Sequence, residues 1–173
     1  MSITRPCMRI VLSGTPGTGK TTIAKEICEV FSFRHINCSE YITANKLYSS
    51  IDEAYSTHVF DEDVFVESLK KEIENKSENI VFDFHSCDLL SEFEVDLVVV
   101  LRCDTDELYD RLETRGYSKE KIMENVSAEI TGVCAEEAEE SFQSETVFEF
   151  PNNTEEERQA CVDFIRSKVE CFL

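Results

Sequence analysis

The stretch Ile10–Thr22 reads IVLSGTPGTGKTT. Within it, Gly14 to Thr21 completes the pattern G-x-x-x-x-G-K-[ST], a phosphate-binding loop. Met8 to Leu12 before it is a short apolar run that reads as a buried strand. After it, Ile23, Ile27 and Val30 recur at helical spacing, with the good helix formers Ala24, Lys25 and Glu26 between them. Strand, glycine-rich turn and helix is the context the loop needs. Gly14, Gly17 and Gly19 let the backbone turn tightly and bring N–H groups close to phosphate oxygens. A helix starting near Lys20 directs its positive end at the same anion. Lys20 adds a full charge toward the outer phosphates, and the Thr21 hydroxyl can ligate Mg²⁺.

Outward from the loop, strands alternate with helices. Phe33 to Asn37 reads as a second strand. Residues 38–60 have weak periodicity, with Tyr41, Tyr48 and Tyr55 among small and polar residues, and read as short helices and loop. Asp61 caps a helix with Val64, Phe65, Leu69 and Ile73 inside. Ile80 to Asp83 is a strand. Leu97 to Leu101 is apolar throughout, as a parallel strand covered on both faces is. Asp104 and Glu107 make a capping-box-like start for a helix through Leu108 and Leu112, ended by Gly116. One long helix is expected from about Ser118, with Ile122, Val126, Ile130, Val133 and Cys134 inside and a solvated acidic end. Thr146 to Phe150 is a last strand. Thr154 and Glu157 form a second capping box, opening a helix that buries Cys161, Phe164, Ile165 and Val169. The expected fold class is α/β, a mostly parallel central sheet flanked by helices, with ligand at the strand C-termini. The leader, residues 1–7, is expected to fray.

Three further groups carry candidate chemistry. Asp83, at a strand end beside the loop, can hold Mg²⁺ directly or through water, although turns also use aspartate there. His85 lies on the same side two residues on. It can orient a water, hold the loop, or be purely structural. Arg111 and Arg115, four apart on one helix, together with Arg102 and Lys119, suit a transferring phosphoryl group, or else pair with Glu107, Asp110 or Glu113. Asn75-Lys76-Ser77-Glu78 and Asp83-Phe-His-Ser86 are near-misses of guanine-nucleotide signatures. Each has one key residue replaced, which argues against a switch GTPase.

Composition bounds the rest. The chain has 173 residues, 36 acidic against 17 Lys and Arg, and a formal charge of −19. No basic patch offsets this, so general attraction to a nucleic-acid backbone is excluded, while a basic protein partner is not. No apolar run approaches a membrane span and no signal-peptide pattern appears, so a soluble intracellular protein is expected. Eight cysteines without a C-x-x-C pair read as reduced, mostly buried thiols. A single domain acting as a monomer is expected.

With these residues placed, the chain resembles the adenylate kinase isoenzyme six family, also called coilin-interacting nuclear ATPases, whose yeast members are small-subunit ribosome assembly factors. The segments that carry the likeness are GTPGTGKTT from Gly14, INCSEYITANKLYSSIDEAY from Ile36, FDEDVF from Phe60, VFDFHSCD from Val81, and LRCDTDELYDRLETRGYSKEKIMENVSAEI from Leu101. The resemblance implies a P-loop nucleoside monophosphate kinase fold with a small monophosphate-binding insertion at about residues 37–60 and a short lid at about 114–124. It implies that Gly17, Gly19, Lys20, Thr21 and Thr22 contact ATP, that Arg115 is the lid arginine, that Asp83 and His85 belong to a D-[YF]-H signature, and that Asn153 lies in the loop passing the adenine. It also implies conversion of MgATP and AMP to two ADP alongside ATP hydrolysis, in nucleus and cytoplasm. Ribosomal protein uS11 and pre-40S particles are the implied partners, and maturation of 18S-type rRNA the implied setting. The chain departs from the family's pattern at Thr43, where an arginine is usual, and at Ser86, where a glycine is.

Overall fold

A computed structural model describes residues 7–53, 57–74 and 77–173. The leader through residue 6, Tyr55 and the Asn75-Lys76 pair lie outside the described residues. The strands β1 (Arg9–Ser13), β2 (Arg34–Asn37), β5 (Ile80–Asp83), β6 (Leu97–Arg102) and β7 (Val147–Pro151) form one parallel sheet in the order β2-β5-β1-β6-β7. Register aligns Leu12 and Asn37 with Asp83, so three strand ends meet in one row beside the glycine loop.

Alternation along the strands explains the layering. Ile10, Leu12, Val81, Val99 and Leu101 face one side, against α1 (Lys20–Phe31) and α7 (Glu155–Phe172). Val11, Phe82, Val98 and Val100 face the other, against α3 (Glu62–Ile73) and α6 (Val133–Ser141). With both faces covered, a continuous apolar strand such as β6 has no solvent side to mark. A smaller apolar cluster joins α4 (Thr105–Thr114) to α5 (Lys119–Thr131) through Leu108, Leu112, Ile122 and Val126.

Several expectations need correction. Residues 38–60 hold α2 (Cys38–Ala44) as expected, but then an antiparallel hairpin, β3 (Tyr48–Asp52) and β4 (Thr57–Phe60). Its polar strands hide the two-residue period because few of their side chains reach a core. Val64 is 50% exposed; Val66 takes its place beside Phe65, Leu69 and Ile73. Val30 also faces outward. The expected long helix is two: Gly132, at φ +71°, ends α5 in a left-handed turn and starts α6. The inward position at the end of α5 is Glu129, so Ile130 is left 67% exposed, and Val133, just past the break, also faces outward. The start of α4 is not a capping box: Glu107 turns to Arg111, and the Asp104 N–H donates instead to Asn153 Oδ1 at 2.7 Å. The Thr154 and Glu157 box is present at α7, where Val162 is buried and Phe164 packs on Phe148 and Phe150.

Candidate active site

The glycine loop closes over the end of β1. Gly14 has φ +138°, and a Cβ there would stand 2.6 Å from the Leu101 carbonyl oxygen, so only glycine fits. Lys20, the first residue of α1, folds back under the loop; its Nζ donates to the carbonyls of Gly14 at 2.7 Å and Thr15 at 3.2 Å. Burial pushes the Lys20 pKa down, and the Asp83 carboxylate opposes that fall.

Asp83, 3% exposed, is where β1, β2 and β5 converge. Its Oδ2 accepts from Thr21 Oγ1 at 2.5 Å and Asn37 Nδ2 at 3.2 Å, and His35 Nε2 lies at 3.3 Å. Burial alone would raise its pKa; the His35 bond, the Lys20 charge and the Thr21 hydroxyl hold it below the ordinary carboxylate value. An ionised carboxylate next to a hydroxyl is a hard-oxygen donor pair, which suits Mg²⁺.

His85 lines the same cleft. Burial, then the Lys20 charge, lower its pKa to about 4, so its ring is neutral at physiological pH. A neutral imidazole offers one donor and one acceptor, not a cation. Its carbonyl accepts from Ser13 Oγ at 3.3 Å and Cys134 Sγ at 3.5 Å.

The cleft encloses about 640 Å³ between the loop, α2, the hairpin and the start of α5. Gly17, Gly19, Lys20, Thr21, Thr22, Asp83, His85 and Arg115 all line it. Arg115 sits at the C-terminus of α4 with its side chain exposed at the rim. The rest of the expected arginine group is spent on the protein itself. Arg111 pairs with Glu107 at 2.7 Å and donates to the carbonyls of Gly17, Asn152 and Asn153, bracing the loop from outside. Arg102 is held by Glu129 and Glu149, and Lys119 lies exposed outside the lining. Asn153 is also outside the lining; its carboxamide oxygen and its N–H bind Asp104 and Glu157. Its neighbour Asn152 reaches the loop instead, donating to the Thr18 carbonyl at 2.6 Å.

Opposite the loop, the cleft wall presents Ser39, Glu40, Thr43 and His58. Thr43 Oγ1 donates to the Ser39 carbonyl at 3.0 Å and lies 3.1 Å from His58 Nδ1, whose ring stacks on Tyr48. Lys46, one turn on from Thr43, is exposed and not in the lining. Among the described lining residues the lysines and arginines are Lys20, Arg115 and Lys121, none of them on this wall.

Sequence reading missed Asn37, His35, His58, Asn152 and Glu129. Glu129 alone left a signal: it follows Ile122 and Val126 at the spacing of the buried face of α5, where an apolar residue was due.

A family model described as an AAA domain matches residues 10–132. The "Adenylate kinase isoenzyme 6 homolog" of Caenorhabditis elegans is 42% identical over 90% of this chain and 86% of its own length. The protein of the same description from Schizosaccharomyces pombe is 42% identical over 90% and 88%. Among solved structures, a shikimate kinase from Bacteroides thetaiotaomicron superposes with a TM-score of 0.61 at 17% identity, covering 94% of this chain and 98% of that one, a likeness of fold alone. The fold is that of P-loop kinases, and the protein is an enzyme of the kinase and ATPase class. With relatives this similar over nearly their whole length, the chain belongs to the adenylate kinase isoenzyme 6 family.

Proposed function

We propose that the protein transfers the γ-phosphoryl group of ATP to AMP, giving two ADP, and hydrolyses ATP when no acceptor is bound. The observation that carries this reading is the convergence of Lys20, Thr21 and Asp83 at the floor of a cleft whose rim bears Arg115. In this reading the loop N–H groups and Lys20 Nζ bind the β- and γ-phosphates, the ammonium leaving the Gly14 and Thr15 carbonyls for phosphate oxygens. Thr21 and Asp83 would hold Mg²⁺, which when bound supplies positive charge against the phosphate oxygens. Arg115 covers the charge that develops on the transferring group, and neutral His85 orients the attacking oxygen by a hydrogen bond. Arg111 acts at one remove, fixing Gly17. Residues 37–60 and 114–124 would serve as monophosphate-binding insertion and lid. The test is ADP formation by the purified chain with and without AMP: strong AMP stimulation, lost in Lys20→Ala, supports the reading. Unchanged turnover in that variant overturns it.

A second reading is favoured by the wall opposite the loop, which among the described residues offers an acceptor phosphate no lysine or arginine. In it, nucleotide binding drives an assembly chaperone for the ribosomal protein uS11 on pre-40S particles, in nucleus and cytoplasm, and kinase activity is residual. The charge of −19 suits a basic partner. ATP hydrolysis that AMP does not stimulate supports this reading over the first. The protein is proposed to act as a monomer, testable by light scattering.

A further inference from the structure

We infer that Glu129 is a positioning residue that ties the helix rooted in the lid to the phosphate loop. The inference rests on residues 14–21 being an ATP site. Glu129 is 4% exposed, and its carboxylate is shared between separate segments. Thr15 Oγ1, in the loop, donates to Oε2 at 2.5 Å. Arg102 Nε and the Cys103 N–H, at the end of β6, donate to Oε1 at 2.9 and 3.0 Å. Arg102 Nη2 also donates to the Glu129 carbonyl at 2.8 Å, fixing α5 to the same point.

A buried carboxylate persists only when its oxygens are paired, and breaking such a set from one side leaves the remainder unpaired. The Thr15 bond sets it apart from an ordinary structural ion pair. The Thr15 carbonyl accepts from Lys20 Nζ and from Thr18 Oγ1 at 2.8 Å. The residue that Glu129 holds is therefore part of the loop arch itself, whose N–H groups bind phosphate in this reading and whose Thr15 carbonyl seats the Lys20 ammonium until a phosphate takes it. On the same helix, Lys121, Asn125 and Ala128 line the cleft. Arg102 and Glu129 alone would join β6 to α5; with Thr15 added, the helix that leads out of the lid and the arch of the loop share one anchor. Glu129 does not line the cleft itself; it reaches the loop through the Thr15 hydroxyl, and its charge also acts on Lys20.

The test is MgATP binding by the full chain, read as a dissociation constant beside kcat, KM and Tm. Thr15→Val keeps the side-chain shape and leaves Arg102 and Cys103 untouched; Glu129→Gln weakens the whole set. Each is expected to weaken ATP binding by about tenfold, the worth of one charge-assisted hydrogen bond. The KM for AMP shifts far less, and the double variant is no worse than Glu129→Gln, because both act on one bond. Thr15→Ser, which keeps the hydroxyl, recovers most of the loss. Folded variants with lowered Tm and unchanged ATP affinity would reduce Glu129 to a structural ion pair and overturn the inference. If Glu129→Gln fails to fold, Thr15→Val decides alone. A wild-type chain that binds no MgATP overturns the ATP assignment itself, a different outcome from equal binding by wild type and variants.

Discussion

Asn152 sits directly against Gly19: its carboxamide nitrogen, which donates to the Thr18 carbonyl at 2.6 Å, occupies the space that a Cβ on Gly19 would need. Gly19 also has φ +100°, which side chains disfavour. The turn after β7 thus packs its buried asparagine onto the phosphate loop, and the two residues, 133 positions apart, specify each other.

This pair makes a prediction for stability. Asn152→Ala leaves the buried Thr18 carbonyl short of a donor and should cost about 1–3 kcal/mol in urea unfolding. Gly19→Ala adds about 1–3 kcal/mol of backbone strain and displaces Asn152. In the Gly19→Ala background Asn152→Ala should cost less than in the wild type, because the collision is already relieved. Additive losses would show that the two do not meet in solution.

The wall opposite the loop predicts a gain of function. Thr43 is an exposed helix residue facing the cleft, so Thr43→Arg should fold normally. A guanidinium there can bind a phosphate through two N–H groups, and the KM for AMP should fall by about tenfold, with a smaller shift for ATP. If AMP-dependent ADP formation fails to rise in this variant, the wall does not receive the acceptor phosphate.

His85 predicts the pH dependence of stability. Its ordinary pKa of 6.5 falls to about 4 in the fold. Above 6.5 the ring is neutral in both folded and unfolded chains, and its contribution is constant. As pH drops from 6.5 toward 4 the unfolded chain takes up a proton that the folded chain refuses, so stability declines through that window. Urea unfolding without Mg²⁺ between pH 7.5 and 5.5, above the sequence pI of 4.4, should show a steeper decline for wild type than for His85→Gln. Asp83, whose pKa is lowered, keeps its contribution until pH falls below the ordinary value of 3.8, outside that range.

Thiol reactivity tests the packing. Burial pushes Cys28 and Cys103 up to about 11 and Cys87 and Cys161 to about 12. Because only the thiolate attacks, these four should resist a disulfide reagent at pH 8 in the native chain. Exposed Cys171 should react first, and urea should release all eight. Rapid native reaction at Cys87 or Cys161 would contradict the packing between sheet and helices.

The parts legible in the sequence were those whose signal is local. The loop at 14–21 announces itself because phosphate binding demands particular residue types at adjacent positions. Ile80 to Asp83 and Leu97 to Leu101 are legible because a strand covered on both faces needs a run of apolar residues. The capping box at Thr154 and Glu157 spans only four residues. The hairpin at 48–60 was not legible, since its strands are largely exposed and lack an apolar period.

Chain-local chemistry thus settled the strand–loop–helix unit, the parallel α/β class and the candidacy of Lys20, Thr21, Asp83 and Arg115. Tertiary structure alone decided which polar residues brace the loop and the wall opposite it: Asn152 rather than Asn153, Glu129 on Thr15 and Arg111 on the Gly17 carbonyl at the loop, and His58 on Thr43 at the wall. The reason is geometric. Hydrogen bonds between residues tens of positions apart depend on strand order and helix rotation, and a one-position change at a turn or a break such as Gly132 redirects a side chain without altering the local pattern.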